Sequence, residues 1–264
     1  MTRLFLILIA CLLASTASAN GCHGKIACEL GGRSYHVLEP DGWDGTSPLP
    51  VLFHFHGWMR QGDLVVNHTR ISGATRRRGV LLVAPNGARK TWDFWRADSP
   101  DIPFARAVLE EVKARYPVDT TRIYVSGYSW GSNMAWRFVC QDGADIAVLL
   151  AISGTLEQDE DCDTAPGAVR QVYGLGDPVL EFPFGPGGDT TYPVKLWRDI
   201  FDCGSGTPKG DWKARDWLTF DRTVWTSCAS GTVTLDLHPG GHFIPHGWIA
   251  RQLDELLGLP PSYP

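Results

Sequence analysis

The fold is decided by the stretch Ile123-Tyr124-Val125-Ser126-Gly127-Tyr128-Ser129-Trp130-Gly131-Ser132-Asn133. It opens with a short apolar, β-branched run that is typical of a buried strand. Gly127 and Gly131 then flank Ser129 in a G-x-S-x-G pattern, and the next residues resemble the start of a helix. A strand, a tight glycine turn and a helix are the context of a nucleophile elbow, in which a serine hydroxyl projects beside backbone N–H groups. A glycine-rich turn carrying an inert serine fits the same pattern, so the rest of the chain must decide.

The first residues have the pattern of a secretory signal peptide. Arg3 precedes an apolar run from Leu4 to Leu13, and the small residues Ala17-Ser18-Ala19 form a cleavage site. Leu8-Ile9-Ala10-Cys11 resembles a lipoprotein box, but more apolar residues follow its cysteine, which favours ordinary cleavage. We therefore expect residues 1–19 to be a signal peptide and the protein to be secreted or periplasmic.

Residues 20–264, 245 in number, fit one α/β domain, and no linker or internal repeat divides them. Without Arg3 this part carries 23 basic and 29 acidic side chains, a net charge of −6. That balance argues against binding to nucleic acid or to an anionic membrane surface. No segment after the signal is apolar enough for a membrane span, and the sequence predicts no oligomeric state.

Six cysteines remain after residue 19, and an even number in an exported chain indicates disulfides. Six cysteines allow 15 pairings. The set that joins the nearest in sequence is Cys22–Cys28, Cys140–Cys162 and Cys203–Cys228. Metal binding would need Cys or His clustered at ligand spacing, and the sequence has no such cluster.

Apolar runs alternate with helical patterns along the chain, which predicts a mostly parallel central sheet flanked by helices. Continuous apolar runs at Val80–Ala84 and Ile146–Ile152 are typical of buried parallel strands. The spacing predicts helices over 64–78, 102–115 and 248–256, with the last one closing the chain.

Three polar residues that follow predicted strands complete the constellation: Ser129, Asp177 and His242. Their order along the chain is that of the α/β-hydrolase fold. Serine needs a base to take its proton, and a histidine base needs a carboxylate to fix its tautomer. The alternatives left open are His238 and His246 for the base. For the acid they are Asp189, Asp199 and Asp202.

An oxyanion hole is expected from two backbone N–H groups, those of Trp58 and Trp130. Trp58 follows a strand that ends in His56-Gly57, and Trp130 follows the serine. We expect His56 to be buried and bonded to backbone, shaping the loop without titrating in the reaction.

Aromatic residues are frequent in the loops near these positions, and the chain contains 11 tryptophans. Trp92, Trp95 and Trp130 are the predicted substrate contacts, as a wall that stacks on a sugar or aryl group. Core packing beneath the loop is the other interpretation of the segment Trp92–Trp95.

With these residues in hand, the chain resembles the secreted esterase family of short polyhydroxybutyrate depolymerases and feruloyl esterases. The resemblance is strongest from Phe104 to Cys140 and extends to Phe55-His56-Gly57-Trp58, Gly176-Asp177-Pro178 and Gly241-His242. It implies an α/β-hydrolase fold, with the nucleophile at Ser129, the acid at Asp177 and the base at His242. Trp130-Gly131-Ser132 departs from the family, which usually has a small polar residue and two glycines there.

The function that follows is a serine carboxyl-ester hydrolase working through an acyl-enzyme on hydroxyalkanoate or feruloyl plant-wall esters. No metal or organic cofactor is implied. A serine peptidase of the same fold and a non-catalytic polymer- or carbohydrate-binding protein are the alternatives. An intact triad argues against the binding protein, and a mature length without an added domain argues against the peptidase.

Overall fold

The computed structural model describes residues 21–263, and the predicted signal peptide lies outside them. Ten strands form one sheet in the order β1-β2-β4-β3-β5-β6-β7-β10-β9-β8. Their bounds are β1 Cys28–Leu30, β2 Arg33–Leu38, β3 Leu49–Phe55, β4 Leu81–Pro85, β5 Val118–Tyr128, β6 Val148–Ile152, β7 Val169–Gly174, β8 Thr207–Arg215, β9 Leu218–Trp225 and β10 Val233–His238.

The six central strands, from β4 to β10 in sheet order, run parallel, and antiparallel strands complete both edges. The predicted mostly parallel sheet is therefore confirmed. Because parallel strands point the same way, the loops after β3, β5, β7 and β10 lie together at the carboxyl-terminal end of the sheet.

Six α-helices cover the two faces of the sheet: α1 Gly62–Asn67, α2 Ser72–Arg76, α3 Asp101–Arg115, α4 Trp130–Asp142, α5 Lys195–Ile200 and α6 Trp248–Leu256. Apolar side chains of α3, α4 and α5 form the core on one face. Those of α1, α2 and α6 form the core on the other. The helices predicted over 102–115 and 248–256 agree with α3 and α6.

The single helix expected over 64–78 is wrong, because the segment contains two short helices. His68 has an extended backbone (φ −81°, ψ 105°), which ends α1. The Asn67 side chain also donates to the Asp63 carbonyl, which closes the first helix on itself. In the segment between the two helices, residues 68–71, Thr69 is exposed and Ile71 is buried in the core.

Strands β1 and β8 do not follow from the hydrophobic pattern. β8 is an edge strand in which only Trp212 and Ala214 are buried, so most of its residues are polar and exposed. Pro208 and Gly210 at its start are also rare in strands. Antiparallel pairing with β9 holds this segment as a strand, which its own sequence does not predict.

Three disulfides join Cys22 to Cys28, Cys140 to Cys162 and Cys203 to Cys228. These are the pairs expected from nearest neighbours in sequence. The second ties the last turn of α4 to the loop after β6. Nearby, the buried Arg137 guanidinium forms an ion pair with Glu160 at 2.7 Å, which holds the same loop.

Candidate active site

Ser129 lies between the end of β5 and the start of α4, in a backbone conformation that ordinary residues avoid. Its φ of 58° and ψ of −128° turn the chain sharply from strand to helix. A non-glycine residue in such a region costs about 1–3 kcal/mol, which the surrounding structure must offset. The turn leaves Ser129 only 7% exposed, at the carboxyl-terminal end of the parallel strands.

The two flanking glycines are required by close backbone approach. A Cβ on Gly127 would lie 2.0 Å from the Gly131 carbonyl oxygen, and a Cβ on Gly131 would lie 2.1 Å from the Phe55 carbonyl oxygen. No side chain fits at either position. The same packing brings the end of β3 against the turn that carries Ser129.

His242 and Asp177 form a direct hydrogen bond. His242 Nδ1 lies 2.6 Å from Asp177 Oδ2, and the carboxylate is buried. The other oxygen, Asp177 Oδ1, accepts the backbone N–H groups of Val179 and Leu180 at 2.9 and 3.0 Å. The carboxylate is therefore fixed in place, and His242 donates through Nδ1, which leaves Nε2 as the proton acceptor.

Tyr128 brings the His242 ring to the elbow. The two rings lie 4.9 Å apart between centroids, and the Tyr128 hydroxyl donates to the His242 carbonyl oxygen at 3.1 Å. Because Tyr128 directly precedes Ser129, this contact brings the segment that carries His242 to the end of β5. In the described part of the chain, His242 makes no hydrogen bond to Ser129 Oγ, and such contacts often close only when substrate is bound. No pattern in the sequence predicts this contact of Tyr128.

The structure distinguishes among the alternative histidines. His238 lies buried at the end of β10, where burial lowers its pKa to about 4. His246 contacts Arg215 and Tyr263 at the surface. Of the three, His242 alone hydrogen-bonds a carboxylate among residues 21–263. Two of the alternative acids are engaged elsewhere, Asp189 by Thr191 and Asp199 by Lys195.

The backbone N–H groups of Trp58 and Trp130 stand on the two segments that meet at Ser129. Trp130 is the first residue of α4, where N–H groups have no partner within the helix. Between residues 21 and 263, neither of these N–H groups donates a backbone hydrogen bond. An ideal Cβ on Gly57 would lie 3.6 Å from Ser129 Cβ, so the loop that carries Trp58 passes close to Ser129.

His56 anchors this loop. Its Nδ1 lies 2.8 Å from the Gly57 carbonyl oxygen, and its Nε2 accepts the Gly87 N–H at 2.9 Å. Burial lowers the pKa of His56 to about 4, so the ring is neutral. The expectation of a buried histidine bonded to backbone is confirmed.

Four aromatic residues, Trp58, Phe94, Trp95 and Trp130, pack together beside the elbow, and we call them the aromatic wall. The Trp130 ring lies 5.6 Å from both Trp58 and Phe94 and 5.9 Å from Trp95. Trp58 and Trp95 are 58% and 67% exposed. This wall presents aromatic surface to solvent next to Ser129.

Trp92 does not belong to the wall, which corrects the prediction that it contacts substrate. It is 1% exposed, and its indole N–H donates to the His56 carbonyl oxygen at 2.7 Å. Its ring also meets Phe55 edge-on at 5.0 Å. Trp92 therefore packs in the core beneath the loop, the other interpretation of this segment.

A cavity of about 600 Å³ opens on the His242 side of the elbow. Its lining includes His242 and Tyr128, together with Arg60, His68, Arg70 and apolar residues of α1. Neither Ser129 nor any residue of the aromatic wall lines it, although Gly57, which precedes Trp58, does.

Two further observations concern metal ions and membranes. No group of three or more His, Cys, Asp or Glu side chains suited to a metal occurs among residues 21–263. Within the same range, no helix has the length and apolar character needed to cross a bilayer.

Known proteins resemble this chain in sequence. A probable feruloyl esterase C of Aspergillus clavatus is 30% identical over 186 residues, which cover 66% of this chain and 67% of the relative. A probable feruloyl esterase C of Aspergillus niger and the feruloyl esterase C of Emericella nidulans are 28% and 31% identical, over 63% and 58% of this chain. The matches span 61% and 57% of these two relatives, about three fifths of their length. No protein-family model matches the chain.

Solved structures confirm the α/β-hydrolase fold. An acetyl xylan esterase from Aspergillus awamori superposes with a TM-score of 0.62 over 90% of this chain and 96% of its own, at 11% identity. An S-formylglutathione hydrolase from Staphylococcus aureus superposes with a TM-score of 0.56 over 86% of this chain and 91% of its own, at 11% identity. The fold, the elbow and the sequence likeness together assign the chain to the feruloyl esterase C family.

Proposed function

We propose that this protein is a serine carboxyl-ester hydrolase with Ser129 as nucleophile, His242 as base and Asp177 as the supporting acid. The observation that carries the proposal is the Asp177–His242 hydrogen bond beside a serine held at positive φ between strand and helix. A turn without a catalytic role has no reason to keep a strained serine next to an oriented imidazole.

In the proposed reaction, Ser129 Oγ attacks the ester carbonyl carbon while His242 Nε2 takes the hydroxyl proton. The tetrahedral intermediate collapses as the imidazolium returns that proton to the leaving alcohol, which gives an acyl-enzyme. Water then attacks the acyl carbonyl carbon while one of its protons passes to His242. The bond to Ser129 Oγ breaks, the imidazolium returns the proton to that oxygen, and the carboxylic acid is released. Asp177 stabilises the charged imidazolium without being protonated itself.

The backbone N–H groups of Trp58 and Trp130 would stabilise the oxyanion. Both are free of backbone acceptors in the described residues and stand on segments that contact Ser129. A donor of this kind contributes roughly 3–4 kcal/mol to the transition state in comparable sites.

For the substrate, we propose esters of aromatic acids of the feruloyl type. The aromatic wall supports this choice, because exposed Trp95 and Trp58 can stack on an aryl acyl group bound at Ser129. The names of the fungal relatives point to the same acyl group. A hydroxyalkanoate would need only an apolar groove and would make little use of exposed indoles.

We also propose that the protein acts outside the cytoplasm. Three disulfides support an oxidising compartment, as does the predicted signal peptide at residues 1–19.

The test is hydrolysis of methyl ferulate and of a short p-nitrophenyl alkanoate by the mature protein. We expect turnover of both, with a higher kcat/KM for the ferulate. Ser129→Ala should abolish both activities, and Ser230→Ala, an exposed serine far from the elbow in sequence, should retain them.

If both esters are cleaved but the alkanoate is strongly preferred, the feruloyl proposal fails and the hydroxyalkanoate reading replaces it. If neither is cleaved and a fluorophosphonate leaves Ser129 unlabelled, the elbow is a structural turn and a binding protein becomes the better account.

A further inference from the structure

A second hollow continues the cavity that begins at His242. It measures about 410 Å³ and shares Thr69 and Arg70 with the first. Its far end is lined by Arg215 and Trp217 of the β8–β9 hairpin. The two hollows form one groove that leads away from the catalytic histidine across the ends of α1 and α2.

This groove is strongly basic in a chain whose formal net charge is −5. Its polar lining includes Arg60, His68, Arg70, Arg77, Arg215 and His246. No Asp or Glu lines either hollow in the described part of the chain. We call this surface the basic groove.

Within residues 21–263 the arginines of the basic groove lack carboxylate partners, although the neighbouring Arg76 and Arg78 have one each. Arg76 and Arg78 form ion pairs with Asp41 and Asp254. Between residues 21 and 263, the four groove arginines form no ion pair with a carboxylate. Arg70 donates to the Ile244 carbonyl oxygen, and Arg215 contacts His246.

The histidines of the groove report the same positive field. Burial lowers the pKa of His68, and Arg70 and Arg60 lower it further. Burial, Arg215 and Arg70 act in the same way on the pKa of His246. His68 Nδ1 is also buried without a hydrogen-bond partner among the described residues.

An exposed aromatic ring stands at the outer end of the groove. Trp217 is 66% exposed and lies 6.4 Å from Phe243, the residue after His242. An indole that shares a hollow with arginines lacking a carboxylate partner among residues 21–263 suits a ligand whose rings carry anionic groups, such as a saccharide with carboxylates.

We propose that the basic groove binds the alcohol part of the ester, and that this part is an acidic saccharide bearing uronate carboxylates. This inference rests on the proposed function. His242 protonates the leaving oxygen, so the alcohol part departs on the histidine side, where the groove begins. The aromatic wall does not line the groove and remains available to the acyl group.

The test uses two feruloylated oligosaccharides that differ only in charge. One carries uronate carboxylates, and the other is the same compound with those carboxyl groups chemically reduced to alcohols. We expect the wild type to prefer the charged ester in kcat/KM by about tenfold at low salt. The preference should shrink as salt is raised, because exposed charges are screened.

The variant Arg60→Gln/Arg215→Gln should bring this charged-to-neutral ratio close to one. Lys25→Gln/Lys209→Gln removes the same charge from exposed positions outside the groove and should keep the wild-type ratio. An equal kcat/KM for the two esters in the wild type, or a ratio that the arginine variant retains, would overturn the proposal.

Calorimetry can measure binding of the ester-free oligosaccharide, which tests this proposal separately from the esterase assignment. If no ester is cleaved, the proposed function fails, but the groove should still bind the uronate form more tightly than the reduced form. If inorganic phosphate binds the groove as tightly as the ester-free oligosaccharide does, the groove is a simple anion site, which would contradict saccharide recognition.

Discussion

The Tyr128 hydroxyl donates to the His242 carbonyl oxygen at 3.1 Å, and the two rings lie against each other. The residue that ends β5 therefore holds His242 near the end of that strand. Burial, followed by the nearby Asp177 charge, raises the pKa of Tyr128 to about 12, so the phenol stays protonated and able to donate.

Removing the Tyr128 ring should misplace His242 without touching the reacting atoms. We expect Tyr128→Ala to lower kcat about 100-fold with a smaller change in KM, since small displacements of a catalytic group are costly. Tyr128→Phe retains the ring contact and should recover most of the rate. Steady-state kinetics on methyl ferulate measure both, and equal losses for the two variants would show that ring packing is unimportant.

Asp177 is expected to act by fixing the imidazole tautomer. In Asp177→Asn, one oxygen can still accept the Val179 and Leu180 N–H groups, so the amide NH₂ faces His242 Nδ1. The ring must then carry its proton on Nε2 and cannot accept one from Ser129. We expect kcat to fall by about 10³–10⁴-fold, with little change in melting temperature.

The matched control is Asp189→Asn, which changes an acid that bonds Thr191 instead of His242. It should keep nearly full activity. A larger loss in this variant than in Asp177→Asn would reassign the acid.

The elbow should tolerate no side chain at Gly131. A Cβ there would lie 2.1 and 2.4 Å from the carbonyl oxygens of Phe55 and His56, which are backbone atoms that cannot move aside cheaply. We expect Gly131→Ala to lower the free energy of unfolding by about 3 kcal/mol or more, as measured by urea denaturation.

Gly73→Ala provides the comparison. Gly73 lies within α2, and the nearest atoms to a Cβ there belong to the end of the flexible Arg77 side chain. Alanine is the better helix former, so this variant should be neutral or slightly stabilising. A similar loss of stability in both variants would contradict the packing argument for Gly131.

Glu255 should make the stability depend on pH. Burial alone would raise its pKa, but hydrogen bonds and charges from Arg251, Arg222 and Arg170 outweigh burial and lower it. A lowered folded-state pKa stabilises the protein above the unfolded-state pKa, and this contribution is lost as pH falls through the folded value. Urea denaturation should therefore show Glu255→Gln less stable than wild type at pH 7.

The gap between the two proteins should close as the solution becomes acidic. A gap that is constant from pH 7 to pH 3 would mean that Glu255 contributes through packing and not through its charge.

The sequence was sufficient for features that local chemistry determines. The central strands are continuous apolar runs, and the glycines around Ser129 mark a turn that few other sequences can form. Asp177 and His242 could be chosen because each stands on a loop after a parallel strand, and such loops lie together at the carboxyl-terminal end of the sheet. The catalytic role of the three residues remains a proposal, although their positions follow from these patterns.

Features that depend on long-range packing could not be read from the sequence. Trp92 and Trp95 look equivalent in sequence, but one is buried against His56 and the other is exposed. The contact of Tyr128 with His242 joins residues 114 positions apart. The basic groove likewise combines α1, α2, the β8–β9 hairpin and the segment after His242, and β8 itself was not predicted.

The central claim is that Ser129 is a nucleophile activated by His242. Its most direct test is peptide mass spectrometry of the mature protein after reaction with a fluorophosphonate. We predict one phosphonylated residue, Ser129, and a labelling rate that falls at least about 100-fold in His242→Ala. Labelling at another residue, or labelling of Ser129 at the same rate without His242, would contradict the account.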